Sequence, residues 1–180
     1  RTATGVGFGL GYEHGSWRFD LGLTPRGFLV EDWVGGILKK GDWQDYSWSF
    51  DLSRRPQTSS LLSYAGMRDL NSGQVWGGVR TLGVSLGLSH DQGGSWGYWS
   101  NLGGHQLTGQ NVASNQRLQL MGGAYHRLIN EDNRQLRVGA TAIYLNFAKD
   151  LGEFTFGQGG YYSPQQSLSL SMPLSYYARE

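Results

Sequence analysis

The sequence predicts an all-β fold: an antiparallel transmembrane β-barrel, of which these 180 residues form an incomplete fragment of about nine strands. Three observations predict it. Apolar residues recur at every second position, with no helix-length period competing. The positions between them are small or polar, as in strands that face lipid on one side and a lumen on the other. The connections alternate short and long along the chain, which is how a bacterial outer-membrane barrel sorts its periplasmic turns from its outer loops. Composition agrees with all three: 29 Gly, 13% aromatic and only 16% charged residues, with a mean hydropathy of −0.43. No run approaches the roughly 18 consecutive apolar residues of a spanning helix, and no signal-peptide pattern opens the chain. The length suits one domain. The absence of Cys is compatible with an outer-membrane route, and a net charge of +1 argues against a nucleic-acid partner.

The first strand shows the pattern most plainly. Val6, Phe8, Leu10 and Tyr12 take one face, and Gly5, Gly7, Gly9 and Gly11 leave the other bare. The second sets Trp17, Phe19, Leu21 and Leu23 against Arg18, Asp20, Gly22 and Thr24. A weaker strand spans 34–40, and another spans 47–54 with Trp48, Phe50 and Leu52 on one face. Leu82, Val84, Leu86 and Leu88 mark the fifth, Trp96, Tyr98 and Leu102 the sixth, and Leu118 and Leu120, leading to Tyr125, the seventh. Leu136, Val138, Ala140, Ala142 and Tyr144 form the eighth; the ninth alternates Leu168, Leu170, Met172, Leu174 and Tyr176 with serines.

The segments YEHGS, KGDWQDY, HDQGGS and LINEDNR read as tight hairpin turns. Between them lie longer connections at TPRGFLVED, at the segment from RRPQ to VWGG, at HQLTGQNVASNQ and at 148–166. This parity sets Arg1 on the outer side, so an odd number of strands is expected before residue 1 and an even number, zero included, after residue 180. An open sheet in lipid would leave backbone groups unpaired, which also calls for further strands.

Several of the loops resemble a known family. TSSLLSYAG (58–66), WGGVR (76–80), HQLTGQNVASNQR (105–117), INEDNR (129–134) and GQGGYYSPQQ (157–166) are similar to the C-terminal outer-membrane domain of bacterial cellulose synthase operon protein C, and the resemblance covers nearly the whole chain. It implies part of a roughly 16-stranded barrel, wide enough for an aqueous channel, that exports cellulose across the bacterial outer membrane. The partners it implies are the cellulose polymer, outer-membrane lipid and, through periplasmic tetratricopeptide repeats that have no counterpart here, the inner-membrane cellulose synthase complex. No cofactor or metal is expected.

A conduit for a neutral glucan needs width, hydroxyl-bonding groups and flat apolar surface, all holding each sugar weakly. Arg18, Asp20, Asp51, Arg117, Gln119 and Arg127 fall on the inward parity as hydrogen-bonding heads, and Trp99 and Tyr125 as rings for sugar stacking. A one-residue register slip would instead send both aromatics to lipid or to an interfacial belt. For the glycines, relief of crowding competes with the provision of space. Tyr12, Trp17, Trp43, Trp48, Trp96 and Tyr176 read as membrane-interface girdles. In the long loops, Arg54, Arg55, Tyr64, Tyr161, Tyr162 and Gln165 are gate or glycan candidates, against the simpler reading of loops packed on each other to cap the barrel.

Catalysis finds little footing. His14 and Ser16 have the H-x-S spacing of outer-membrane phospholipase but sit in a turn-forming tetrapeptide, and Glu31 with Asp32 and Glu131 with Asp132 are adjacent loop acids rather than a glycosidase pair. The histidines at 14, 90, 105 and 126 lack metal-ligand spacing. Two other classes share part of the pattern: a general porin, whose loops would carry charged constriction clusters, and a soluble carbohydrate-binding β-sandwich, whose apolar face would be covered by a second sheet.

Overall fold

The structure, a computed structural model, describes residues 2–179, so that Arg1, placed by loop parity on the outer side, lies outside the described residues. Its elements are β1 (Val6–His14), β2 (Trp17–Arg26), β3 (Trp33–Trp43), β4 (Tyr46–Pro56), α1 (Leu61–Ala65), β5 (Met67–Arg68), β6 (Val75–His90), β7 (Trp96–Gln110), β8 (Val112–Glu131), β9 (Arg134–Phe147), β10 (Ser167–Ser171) and β11 (Leu174–Ala178). The sheet is an antiparallel meander, β1-β2-β3-β4-β6-β7-β8-β9-β10, with β5 on β6 and β11 on β9. Both β10 and β11 hold one register against β9, from Ser167↔Leu145 through Leu174↔Val138. The break falls at Pro173, which has no N–H to donate, although its carbonyl still accepts from the Gly139 N–H at 2.9 Å. Counted as one, they bring the long antiparallel spans to the nine that the alternation predicts. The sheet is open, with β1 and β10 at its edges.

The register assigns the two faces. Along β6, Leu82, Val84, Leu86 and Leu88 are exposed while the smaller Ser85, Gly87 and Ser89 between them are half-buried. Small side chains can be the more occluded set only on a concave surface, so the polar and glycine face is the inside of the curve and the aliphatic face the outside. Among the described residues, no second sheet of the kind the sandwich reading expects covers the convex face. In β1, a Cβ at Gly7, Gly9 or Gly11 would meet nothing closer than 3.7 Å within this chain, so these glycines leave open room rather than relieve a clash.

Three connections differ from the sequence-based expectation. HQLTGQNVASNQ is not a loop: β7 and β8 run through it and turn at Asn111 alone, whose φ of 50° is the left-handed conformation such a turn needs. Within this hairpin Leu107 and Val112 are the large apolar residues, too few to make the alternation that marks a strand, although the ladder continues. Arg54 and Arg55 belong to the end of β4 rather than to the following loop, with Arg54 paired to Leu82 and Arg55 to Thr81 of β6. The weak third strand is longer than 34–40, because its glycines hide its period.

The core lies at the long-loop end. Val79, Leu107, Phe147, Leu151 and Tyr161 form one buried cluster, with Val112 and Leu145 against it. Beside it, α1 is held by a capping box in which Ser60 and Ser63 satisfy each other's backbone donors, and Leu62 is fully buried. Segments 57–74 and 148–166 thus form an ordered dome: they meet where Gly160 lies so close to Leu62 that a Cβ would stand 2.8 Å from its side chain, and the Phe156 ring lies 5.9 Å from that of Trp76 at the start of β6.

Candidate functional site

The concave wall carries two hollows. Near the short turns, Lys40 of β3, Ser47 and Ser49 of β4, Ser89 of β6, and Trp99 and Asn101 of β7 line an open trough of about 760 Å³. The Trp99 ring lies along the wall over Gly123, its cross-strand partner; a Cβ there would stand 2.8 Å from the indole Nε1. Glycine at 123 is therefore what lets the indole lie flat. Tyr125 uses Gly97 in the same way one pair further along. Toward the first edge, Arg18, Asp20, Asp51 and Arg55 surround a second hollow. Arg55 grips Asp20 with both guanidinium nitrogens across two strands, Arg18 reaches Glu13 at 3.2 Å, and Asp51 accepts from Ser53 Oγ at 2.6 Å.

The remaining wall candidates are tied into structure. Gln119 donates to Met121 Sδ at 2.8 Å. Arg117 faces the Phe147 ring at 6.0 Å, with its Nε buried and unpartnered in the described residues. Tyr125 and Arg127 both hold the 91–95 turn: the Tyr125 hydroxyl donates to Asp91, while Arg127 donates to Asp91 at 2.6 Å and to the Gly94 carbonyl at 2.6 Å. These two are pinned at the short-turn rim, whereas the sequence offers them as free lumen groups. The Arg127 bond first, then the Tyr125 hydroxyl and the Gly93 N–H, hold the Asp91 carboxyl well below the usual carboxylate range.

A depressed carboxylate stabilises the fold fully above its unfolded value, about 3.9, and the contribution fades as pH falls toward the folded value. Asp91→Asn should therefore lower the thermal midpoint of the folded protein at pH 7, by the equivalent of about 1 kcal/mol once solvent screening is allowed for. The gap from wild type should narrow below about pH 3.9. A gap of constant size across that range would show that the Asp91 charge is idle.

The dome holds the other candidates. Tyr64, on α1, packs edge-on against Phe28 at 4.9 Å. Arg54 points to the convex side, stacked on Trp33 at 4.5 Å and paired with Asp32. Burial pushes the Asp32 carboxyl up, but the Arg54 hydrogen bond, the Trp33 N–H and the charges of Arg54 and Arg80 outweigh it and leave the group below its ordinary value. Tyr161, read from sequence as surface for an emerging chain, is only 1% exposed. It packs on Phe147, and its hydroxyl accepts from Asn115 Nδ2 at 3.2 Å; burial pushes its phenol up, and the Asn115 bond opposes this in part. It anchors the loop rather than meeting solvent, whereas Tyr162 and Gln165 beside it are exposed.

Sequence reasoning missed the residue that joins these loops. Arg80 is 1% exposed and donates to the carbonyls of Val79 at 3.0 Å, Val30 at 3.2 Å and Tyr64 at 3.5 Å, with the Asp32 carboxylate at 4.0 Å. Its one signal is a charge closing WGGVR, ahead of a neutral alternating strand. Ser89 and Asn101 were missed as trough residues because their neighbours across the strands are not visible in sequence. Among the described residues, no group of three or more His, Asp or Glu side chains is arranged to hold a metal ion.

Comparison with known proteins bears on this wall. The family model described as the C-terminus of cellulose synthase operon protein C matches residues 1–180. The chain is 42% identical to cellulose synthase operon protein C of Salmonella typhimurium over 98% of its length. It is 40% identical to the protein of that name from Xanthomonas axonopodis pv. citri over 98%. Against cellulose synthase 2 operon protein C of Komagataeibacter xylinus the identity is 33% over 96%. It spans only 15%, 12% and 13% of these relatives, respectively. With the model matched from end to end, the chain belongs to the cellulose synthase operon protein C C-terminal family.

Proposed function

We propose that this chain forms part of the wall of a bacterial outer-membrane pore through which a cellulose-like β-1,4-glucan leaves the cell during cellulose biosynthesis. The observation that carries the reading is the division of the sheet: an aliphatic convex face suited to lipid, and a concave face of glycine, serine and amide groups with an indole laid flat among them. A neutral polymer slides where hydroxyl-bonding groups are many and weak, and serines offer that without the charge that would fix a partner. Trp99 adds a stacking face. The relatives' names supply the polymer, and the nine spans fit part of a larger barrel of the kind that encloses an aqueous channel. A binding and guiding wall is a conduit rather than an enzyme.

The test is cellulose secretion, followed by dye binding on intact cells that express the full-length parent protein, with its delivery to the outer membrane confirmed. Deleting the parent gene should abolish surface glucan and leave polymer in the periplasm. Trp99→Ala should lower secretion about two- to fivefold, the worth of about 0.5–1 kcal/mol of aromatic contact, with delivery unchanged. Surface glucan undiminished in the deletion strain would overturn the export reading; an unchanged Trp99→Ala strain would remove the indole from it.

A further inference from the structure

On the convex face, near the short turns, sits a cation that no acidic side chain among the described residues neutralises. Lys39 lies in the middle of β3, paired with Trp17 on one side and Phe50 on the other, on a face otherwise built of residues such as Ile37 and Phe19. Its ammonium stands 4.5 Å from the centre of the Trp17 ring and 5.9 Å from that of Trp48. Among the described residues it makes no salt bridge. Two indole faces stabilise a cation but leave its charge intact and its N–H donors free. The flexible stem lets such a head lie at an interface while its methylenes cover apolar surface. By contrast Arg54, the cation at the opposite end of this face, is matched by Asp32.

The geometry points to a phosphate-binding lipid site: Lys39 is the counter-ion for the phosphate of a glycerophospholipid, and the Trp17 and Trp48 rings cradle the glycerol region and the first carbons of its chains. Charge complementarity selects this occupant, because an ammonium on an apolar face at the level of an aromatic belt meets headgroups and not acyl chains. The belt continues on both sides in Tyr12 with His14 and in Trp96 with His126, the latter pair 4.5 Å apart. The site rests on the outer-membrane reading above.

The test uses the full-length parent protein, purified as the folded barrel, and native mass spectrometry with a short-chain phosphatidylglycerol as probe. Diacylglycerol of the same chain length lacks the phosphate and serves as the comparison. Wild type should retain phosphatidylglycerol and not diacylglycerol. Lys39→Met should bind the phospholipid about fivefold more weakly, the worth of one basic group at an anionic lipid, while Lys39→Arg keeps binding within about twofold. Lys149→Met, exposed at the long-loop end, should leave phospholipid retention unchanged. Equal retention by wild type and Lys39→Met, or diacylglycerol held as firmly as phosphatidylglycerol, overturns the site. A parent protein that fails to insert into vesicles would instead sink the membrane reading, so the two failures are told apart.

Discussion

Arg80→Ala is expected to destabilise the long-loop end by about 3–5 kcal/mol, the usual penalty for removing one member of a buried charged network. The side chain donates to carbonyls from three segments, the 27–32 connection, α1 and β6, and reinforces the Val30 N–H to Ala65 carbonyl bond that already links the first two. Truncation strands the buried Val30 carbonyl and takes a donor from the half-buried Tyr64 carbonyl. It also removes from Asp32 the second of its two positive neighbours, with Arg54 left alone beside it. The nine spans have their own ladders, so the loss should be local: in the full-length parent protein residues 57–74 should become open to protease while the sheet stays folded. Arg80→Lys should recover only part, because an ammonium cannot reach three carbonyls in one plane. Loop cleavage at the wild-type rate in Arg80→Ala would show that Arg80 does not join the dome.

How much of this was legible in the sequence follows from what alternation can report. A period of two states which residues share a face, and it places Arg18, Asp20, Trp99 and Arg117 together on the inward side. It also gave the span count, since each strand with an apolar face leaves its own mark. Where large apolar residues are too few, as in the β7–β8 hairpin beyond Leu107, or where glycine replaces the apolar member, as at Gly35 in β3, the signal vanishes although the ladder continues. Cross-strand partners lie still further from reach. That Tyr125 is held by Asp91, or that Trp99 lies on Gly123, depends on register between strands, and a shift of one residue would exchange every such pair. Loop packing is the least legible of all. The run of Leu61, Leu62 and Tyr64 is too apolar for a freely exposed loop, and Leu62 is buried, but nothing local in GQGGYYSPQQ separates the Tyr that anchors from the Tyr that is free.

That difference between Tyr161 and Tyr162 sets the second large effect. Tyr161→Ala should cost about 3–5 kcal/mol, because it opens a cavity among Val79, Leu107, Phe147 and Leu151 and leaves the Asn115 amide without one partner. Tyr162→Ala, at 66% exposure, should cost less than about 0.5 kcal/mol. Tyr161→Phe separates the two parts of the loss: it keeps the ring and removes the hydroxyl, at about 1 kcal/mol. Residues 148–166 fold onto the concave face through this ring, so its removal should free the loop and, if the chain walls a pore as proposed, widen its mouth. Cells carrying the Tyr161→Ala parent protein should then take up a bulky antibiotic that the wild-type outer membrane excludes, and they should still secrete glucan, since the Trp99 trough lies at the other end of the wall. Increased uptake with Tyr162→Ala but not with Tyr161→Ala would reverse the roles of the two rings and place the constriction on the exposed loop surface. Uptake unchanged by either, with the Tyr161→Ala loop shown to be cleavable by protease, would mean that the dome lines the mouth without narrowing it.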